Sequence, residues 1–257
     1  MTLLAADIVD RFYTFLWPML RISSLLLAAP LFSLDALTLR LRIMLALVLT
    51  FLIYPLVDWP VIDPISAKGL LEIVNQLFIG AMMGLMLQVA IGAIVVAGQS
   101  IAASMGLSMA SMIDPNVGNV PVISQFLVIM STLIFLGFGG HVMIISMLFD
   151  SFQSVPIGTF ILGQVSFGKV VAWSSMMFLG GVLLALPVMV SLLFINIGMG
   201  IVTRAAPSLN IFSVGFPASI AAGFLVLILS LESIGSRIQW LWMQAFNHAR
   251  DLVGLVS

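Results

Sequence analysis

Long apolar runs separated by short polar connectors set the pattern of this chain. Counted against roughly 20 residues per bilayer crossing, the runs predict helical segments at about 12–34, 41–57, 69–97, 122–149, 170–203 and 211–235. The second run is short for a full crossing. The fifth is long and holds Pro187, which predicts a kink or a hairpin at that residue. Connectors fall at 35–42, 58–64, 114–121, 150–169 and 207–210, each marked by Pro, Asp, Asn or Ser. No fixed-period repeat or low-complexity tract interrupts the series.

One stretch departs from the pattern. Residues 98–121, GQSIAASMGLSMASMIDPNVGNVP, string Gly, Ala, Ser and Met into Asp114-Pro115-Asn116 and Gly118-Asn119, between two long apolar segments. Irregular backbone near membrane depth is tolerated only against protein or a water-filled cavity, because unpaired amides in hydrocarbon cost several kcal/mol each. The segment is therefore expected in a pore or a packed gate. Met105, Met109 and Met112 stand at i, i+4 and i+7 and share a face if helical. Methionine is flexible and polarizable, suited to closing around changing shapes, although such a stripe also suits an ordinary core.

Composition fixes the class. The chain has 257 residues, 62% hydrophobic and only 7% charged, with a mean hydropathy of +1.26; soluble domains carry about a quarter charged residues. An all-α integral membrane protein follows. A formal net charge of -1 offers no basic face for nucleic acid. The absence of cysteine removes disulfides, thiolate metal sites and a Cys nucleophile, and His141 and His248 are too few and too far apart to hold a metal. The first ten residues carry Asp7 and Asp10 but no base, and Pro30 follows Ala28-Ala29, so the first apolar stretch is expected to stay as an anchor. Arg40, Arg42 and Arg204 lie on one set of connectors, whereas Arg11, Lys68, Lys169, Arg237 and Arg250 lie on the other, leaving orientation unspecified.

Ionisable residues inside apolar runs are costly against lipid. Arg21, Glu72, His141 and Glu232 are of this kind, and each is expected to face protein or water, as a gate or ion-path group or as an interhelical or intersubunit hydrogen-bonding group. Arg204, just before Pro207, suits a helix C-terminus or a membrane boundary, or an ion pair with a partner. Gly80 and Gly84 form a small-xxx-small spacing that lets helix backbones approach closely. No HExxH, P-loop, G-x-S-x-G or paired-carboxylate face is present. No enzymatic activity and no cofactor is expected.

These residues resemble a known family, the FliR family of type III secretion export-gate proteins. The landmarks run nearly end to end: Arg21 with Ala29-Pro30, Leu39-Arg40-Leu41-Arg42, Glu72 with Gly80 and Gly84, Gly106-Leu107 before Asp114-Pro115, Phe138-Gly139-Gly140-His141, Pro187, and Arg204-Ala205-Ala206-Pro207-Ser208-Leu209-Asn210-Ile211-Phe212 leading to Gly215-Phe216-Pro217. Ser208 departs from the pattern, where Gln is expected before Leu-Asn.

The resemblance implies a helical assembly with several copies of FliP and FliQ, with FlhB beside it, in the bacterial inner membrane at the flagellar basal body. It implies helices arranged as hairpins within that assembly, held largely above the bilayer plane. It also implies a single export-gate domain, about 1–170 FliP-like and about 171–257 a FliQ-like hairpin with a C-terminal tail. The family's plug maps onto 106–120. Combined with the residue pattern, this expects Met105, Met109 and Met112 to border a closed constriction that resists ion leak by dewetting. Gly106 and Gly118 would allow movement, and Asp114 and Asn116, flanking Pro115 of the same plug, would fix the closed turn until unfolded flagellar subunits pass. An ion-coupled small-molecule carrier is the alternative; it would need two corresponding interrupted helices near the midplane. A scaffold that only nucleates assembly is the third possibility.

Overall fold

The computed structural model describes residues 5–30, 38–107, 122–159, 167–205 and 215–254. Among them all regular structure is helical. The α-helices are α1 (Ala5–Ala28), α2 (Leu39–Ile53), α3 (Ala67–Ser104), α4 (Val122–Gly137), α5 (Gly140–Ser154), α6 (Phe167–Ser174), α7 (Met176–Ala205) and α8 (Phe216–Leu252), with a short 3-10 turn at Tyr54–Leu56 after α2. Leu39–Leu56, Ala67–Ser104, Gly168–Val202 and Pro217–Leu252 are long and apolar enough to cross a membrane, and α4 with α5 makes a fifth span if counted as one. The protein is an all-α membrane protein.

Six runs thus become eight α-helices among the described residues, for local reasons. The run at 122–149 is split because Gly139 adopts φ +78°, a left-handed conformation that ends a right-handed helix. The run at 170–203 breaks at Ser175, not at Pro187: the Ser175 carbonyl accepts from the amides of Phe178 and Leu179 and starts α7 there. α7 continues through Pro187. Proline leaves the carbonyl four residues earlier without its helical donor, and that carbonyl, Leu183 O, accepts Arg237 Nη1 at 2.6 Å. The last run extends to Leu252, well past 235, so the expected C-terminal tail is mostly helix.

The chain divides into two compact units that interleave along the sequence. Unit 1 comprises Met1–Val89, Gly139–Ser174 and Met243–Ser257; unit 2 comprises Ala90–Phe138 and Ser175–Trp242. In unit 1, α2 packs on α1 and α3 meets α1 backbone to backbone. A Cβ added at Gly80 would fall 2.3 Å from Arg21 O, and one at Gly84 would fall 2.9 Å from Ala29 N. Any side chain at either glycine would therefore separate the helices.

Unit 2 uses the same device repeatedly. Gly98 of α3 touches the Ser124 backbone of α4, with a would-be Cβ 2.4 Å from Ser124 Cα, and Gly181 of α7 lies against Ala93 O of α3 at 2.8 Å on the same measure. α7 and α8 run antiparallel, as the pairs Gly180–Leu241 and Leu183–Arg237 show. Trp242 closes the unit with its Nε1 donating to Ser131 Oγ at 2.9 Å and its ring 4.5 Å from that of Phe135.

Candidate functional site

The candidate plug begins where α3 ends. Met105 N donates to Ile101 O and Gly106 N to Ala103 O, both at 3.0 Å, and Gly106 turns to φ +82°. A left-handed residue at this place is a helix stop that glycine supplies without a Cβ clash. The Met105 side chain is fully buried and lies on Gly223 of α8, where a Cβ would come within 2.5 Å of Met105 Cγ. Met105 is thus clamped at the root of the segment. Met109, Met112, Asp114, Pro115, Asn116 and Gly118 lie outside the described residues.

Two polar side chains that the sequence reading passed over stand beside this root. Asn196 of α7 reaches Ser104 O with its Nδ2 at 3.5 Å and accepts from Ser219 Oγ of α8 at 3.0 Å. Three helices of unit 2 are thereby tied where the segment leaves. Asn and Ser facing one another from consecutive apolar runs are the signal that marks such contacts.

Unit 1 holds a buried polar network around Arg21 and Glu72. Arg21 Nε donates to Gln76 Oε1 at 2.6 Å; Nη1 donates to Ser151 O at 2.7 Å and Ser151 Oγ at 3.2 Å; Nη2 donates to Val155 O at 2.9 Å. Its guanidinium carbon lies 4.4 Å above the Phe152 ring. Glu72 Oε1 accepts from Gln76 Nε2 at 2.5 Å and from Gly158 N at 3.0 Å, while Asn75 Nδ2 donates to Thr159 O at 2.9 Å. The cation therefore caps the last carbonyls of α5, where the macrodipole favours positive charge, and the α3 side chains hold the turn that follows. Glu72, Asn75 and Gln76 are spaced i, i+3 and i+4, so one helix face carries them all. That spacing was visible in the sequence, and Asn75 and Gln76 belong with Arg21 and Glu72.

The other three expected polar positions lie on the surface of the single chain. His141, Arg204 and Glu232 are exposed, not buried, because each stands on a helix face that its own unit leaves uncovered. Arg204 does occupy the last turn of α7, as the helix-end reading required. Among the described residues no group of three His, Cys, Asp or Glu side chains is placed to hold a metal.

Comparison with known proteins gives the family. The family described as bacterial export proteins, family 1, matches residues 12–245. The chain belongs to that family. Among curated members of this export family, flagellar biosynthetic protein FliR of Pectobacterium carotovorum subsp. carotovorum is 35% identical over 98% of this chain and 97% of its own length. FliR of Escherichia coli strain K12 is 34% identical over 93% and 92%, and FliR of Bacillus subtilis strain 168 is 30% identical over 98% of each. The export-family relationship thus spans the plug root, the glycine seam and the buried network alike.

Proposed function

We propose that this chain is a core subunit of the flagellar type III protein export gate of the bacterial inner membrane, within the basal body, forming the pore with FliP and FliQ and standing beside FlhB. The observation that carries the reading is the end-to-end relationship to proteins named flagellar biosynthetic protein FliR. The geometry supports it in two ways. Apolar residues such as Phe178, Phe194, Leu225 and Leu229 are exposed along α7 and α8, and exposed Glu232 and Arg237 interrupt the α8 face, a mixture suited to partner helices and costly against lipid. The antiparallel α7 and α8 fit a FliQ-like hairpin joined to a FliP-like first part.

In this reading residues 106–120 form the plug. Met105, held on Gly223, anchors it; Met109 and Met112 border the constriction; Asp114, Pro115 and Asn116 fix the closed turn; and Gly106 and Gly118 are its hinges. An unfolded exported chain presents no constant side chain to recognise, so an apolar, deformable seal that dewets is the suitable closure. His141, Arg204 and Glu232 meet partner subunits. Family membership weighs against the small-molecule carrier.

Deleting residues 107–119 should raise resting ion conductance of the gate expressed with FliP and FliQ, while the three subunits still copurify. Unchanged conductance in an intact complex removes the segment from the seal. Failure of the unaltered chain to copurify with FliP and FliQ removes the subunit assignment itself.

A further inference from the structure

The glycines of unit 2 are met by their neighbours in two different ways. Against Gly98 and Gly181 the nearest atoms include backbone, Ser124 Cα and Ala93 O, so only the shift of a whole helix could open those contacts. At Gly223 of α8 the three atoms nearest a would-be Cβ all belong to the Met105 side chain: Cγ at 2.5 Å, Cε at 2.7 Å and Sδ at 3.1 Å. Gly92 of α3 is met in the same manner by Met177 of α7, whose Cγ and Sδ both fall 2.9 Å from the would-be Cβ. A backbone contact is fixed in shape, whereas a methionine turns about three side-chain bonds and can leave its seat by changing rotamer. Glycine provides the seat, because any side chain of its own would fill it.

The two roots of the segment between α3 and α4 therefore differ. At the α4 root, Ser124 sits backbone to backbone on Gly98, and its Oγ donates to Val95 O at 3.1 Å. At the α3 root the close contact is the methionine in its glycine seat, and the helix leading to it is soft. Ser100 Oγ donates to Val96 O at 2.8 Å and Ser104 Oγ to Ser100 O at 2.9 Å, a back-bonding that weakens and bends helices. Gly106 then turns to φ +82°. The polar tie beside it is long, with Asn196 Nδ2 reaching Ser104 O at 3.5 Å from an exposed position. Met105, fully buried, is thus a close-packed hold that can be released without stranding a charge or parting two backbones.

We propose that Met105 and Gly223 form a releasable latch: the gate opens by unseating Met105 from α8 at the α3 root, while the Ser124–Gly98 contact keeps the α4 root in place. The proposal rests on the reading of residues 106–120 as the plug of an export gate, and adds which of its roots moves and what holds it shut.

Because the chain has no cysteine, the Met105→Cys/Gly223→Cys pair tests the latch directly. Met105 Cγ stands close to where a cysteine sulfur would, 2.5 Å from the would-be Cβ of residue 223, within reach of a bond whose S–S length is about 2 Å. In cells that carry this pair in place of their own FliR, copper phenanthroline should form the disulfide. Export of flagellar subunits should then fall to the level of cells lacking the chain and return on reduction with dithiothreitol, whereas cells carrying the unaltered chain should respond to neither reagent. Failure of the disulfide to form shows that the contact is not made, and unimpeded export through the bridged chain shows that it need not open; either result overturns the latch. Gly223→Ala perturbs in the opposite direction by ejecting Met105. It should raise the resting ion conductance of the gate severalfold with FliP and FliQ still copurifying, and adding Met105→Ala should bring the conductance most of the way back, since the new methyl refills the seat. Unchanged conductance in Gly223→Ala also overturns the latch. If the unaltered chain fails to restore export to cells without FliR, the gate reading itself falls and the latch with it, so the two failures are told apart by that strain.

Discussion

The two units of this protein are held together by different physics. Unit 1 has two buried charged side chains at its centre, Arg21 and Glu72, linked through Gln76, with Asn75 and Ser151 bonded to them. Unit 2 buries no charged side chain among the described residues; its helices meet through Gly98, Gly180, Gly181 and Gly223, with a hydrogen bond between the buried side chains of Trp242 and Ser131. Directed hydrogen bonds in a dry interior fix a geometry, because any displacement leaves groups unsatisfied. Small-residue contacts are close but non-directional. The unit that carries the root of the candidate plug is thus the one whose helices can shift without stranding a buried charge.

The sharpest way to break this contrast is Arg21→Ala. It leaves Glu72 buried without its cation and uncaps α5, and should cost about 3–5 kcal/mol, read as a large drop in the midpoint of unfolding in mixed micelles. A loss under about 1 kcal/mol would mean the network is incidental. In unit 2 the comparable excision, Ser131→Ala, strands only Trp242 Nε1 and should cost about 1–3 kcal/mol; a loss as large as that of Arg21→Ala would erase the distinction. Gly80→Ala tests the seam, since the new Cβ would strike the Arg21 carbonyl, and about 1–3 kcal/mol is expected from overpacking. Smallest is the coupling of Arg237 to Pro187. Arg237→Leu should destabilise by about 1 kcal/mol, and by markedly less in a Pro187→Ala background, where the restored amide takes Leu183 O. Equal losses in both backgrounds would show that the guanidinium does not serve that carbonyl.

Much of this architecture was legible from apolar periodicity and the spacing of small residues. The glycine pair at 80 and 84 and the buried positions of Arg21 and Glu72 follow from the high cost of side chains or charges at those places. Breaks within apolar runs were not legible. Hydropathy does not distinguish a helical Gly, such as Gly140, from Gly139 at positive φ, and Pro187 stays within α7 because a distant arginine satisfies the carbonyl it frees. Nor was it legible that His141, Arg204 and Glu232 are exposed on the single chain: sequence reports that a charge needs a partner but not whether that partner belongs to the same chain. Of the candidate plug residues, only Met105 and Gly106 fall within the described residues, and there the methionine expected to border an opening is clamped on Gly223.

Arg21 reaches carbonyl acceptors that lie 130 and 134 positions later in the chain. During synthesis, the guanidinium of the first helix must therefore wait, solvated or chaperoned, until more than half of the polypeptide has emerged. Closing a loop of that length is slow relative to local helix formation. Nascent chains truncated before Ser151 have no route to the native seating of α1, so maturation of this subunit is a late, whole-chain event.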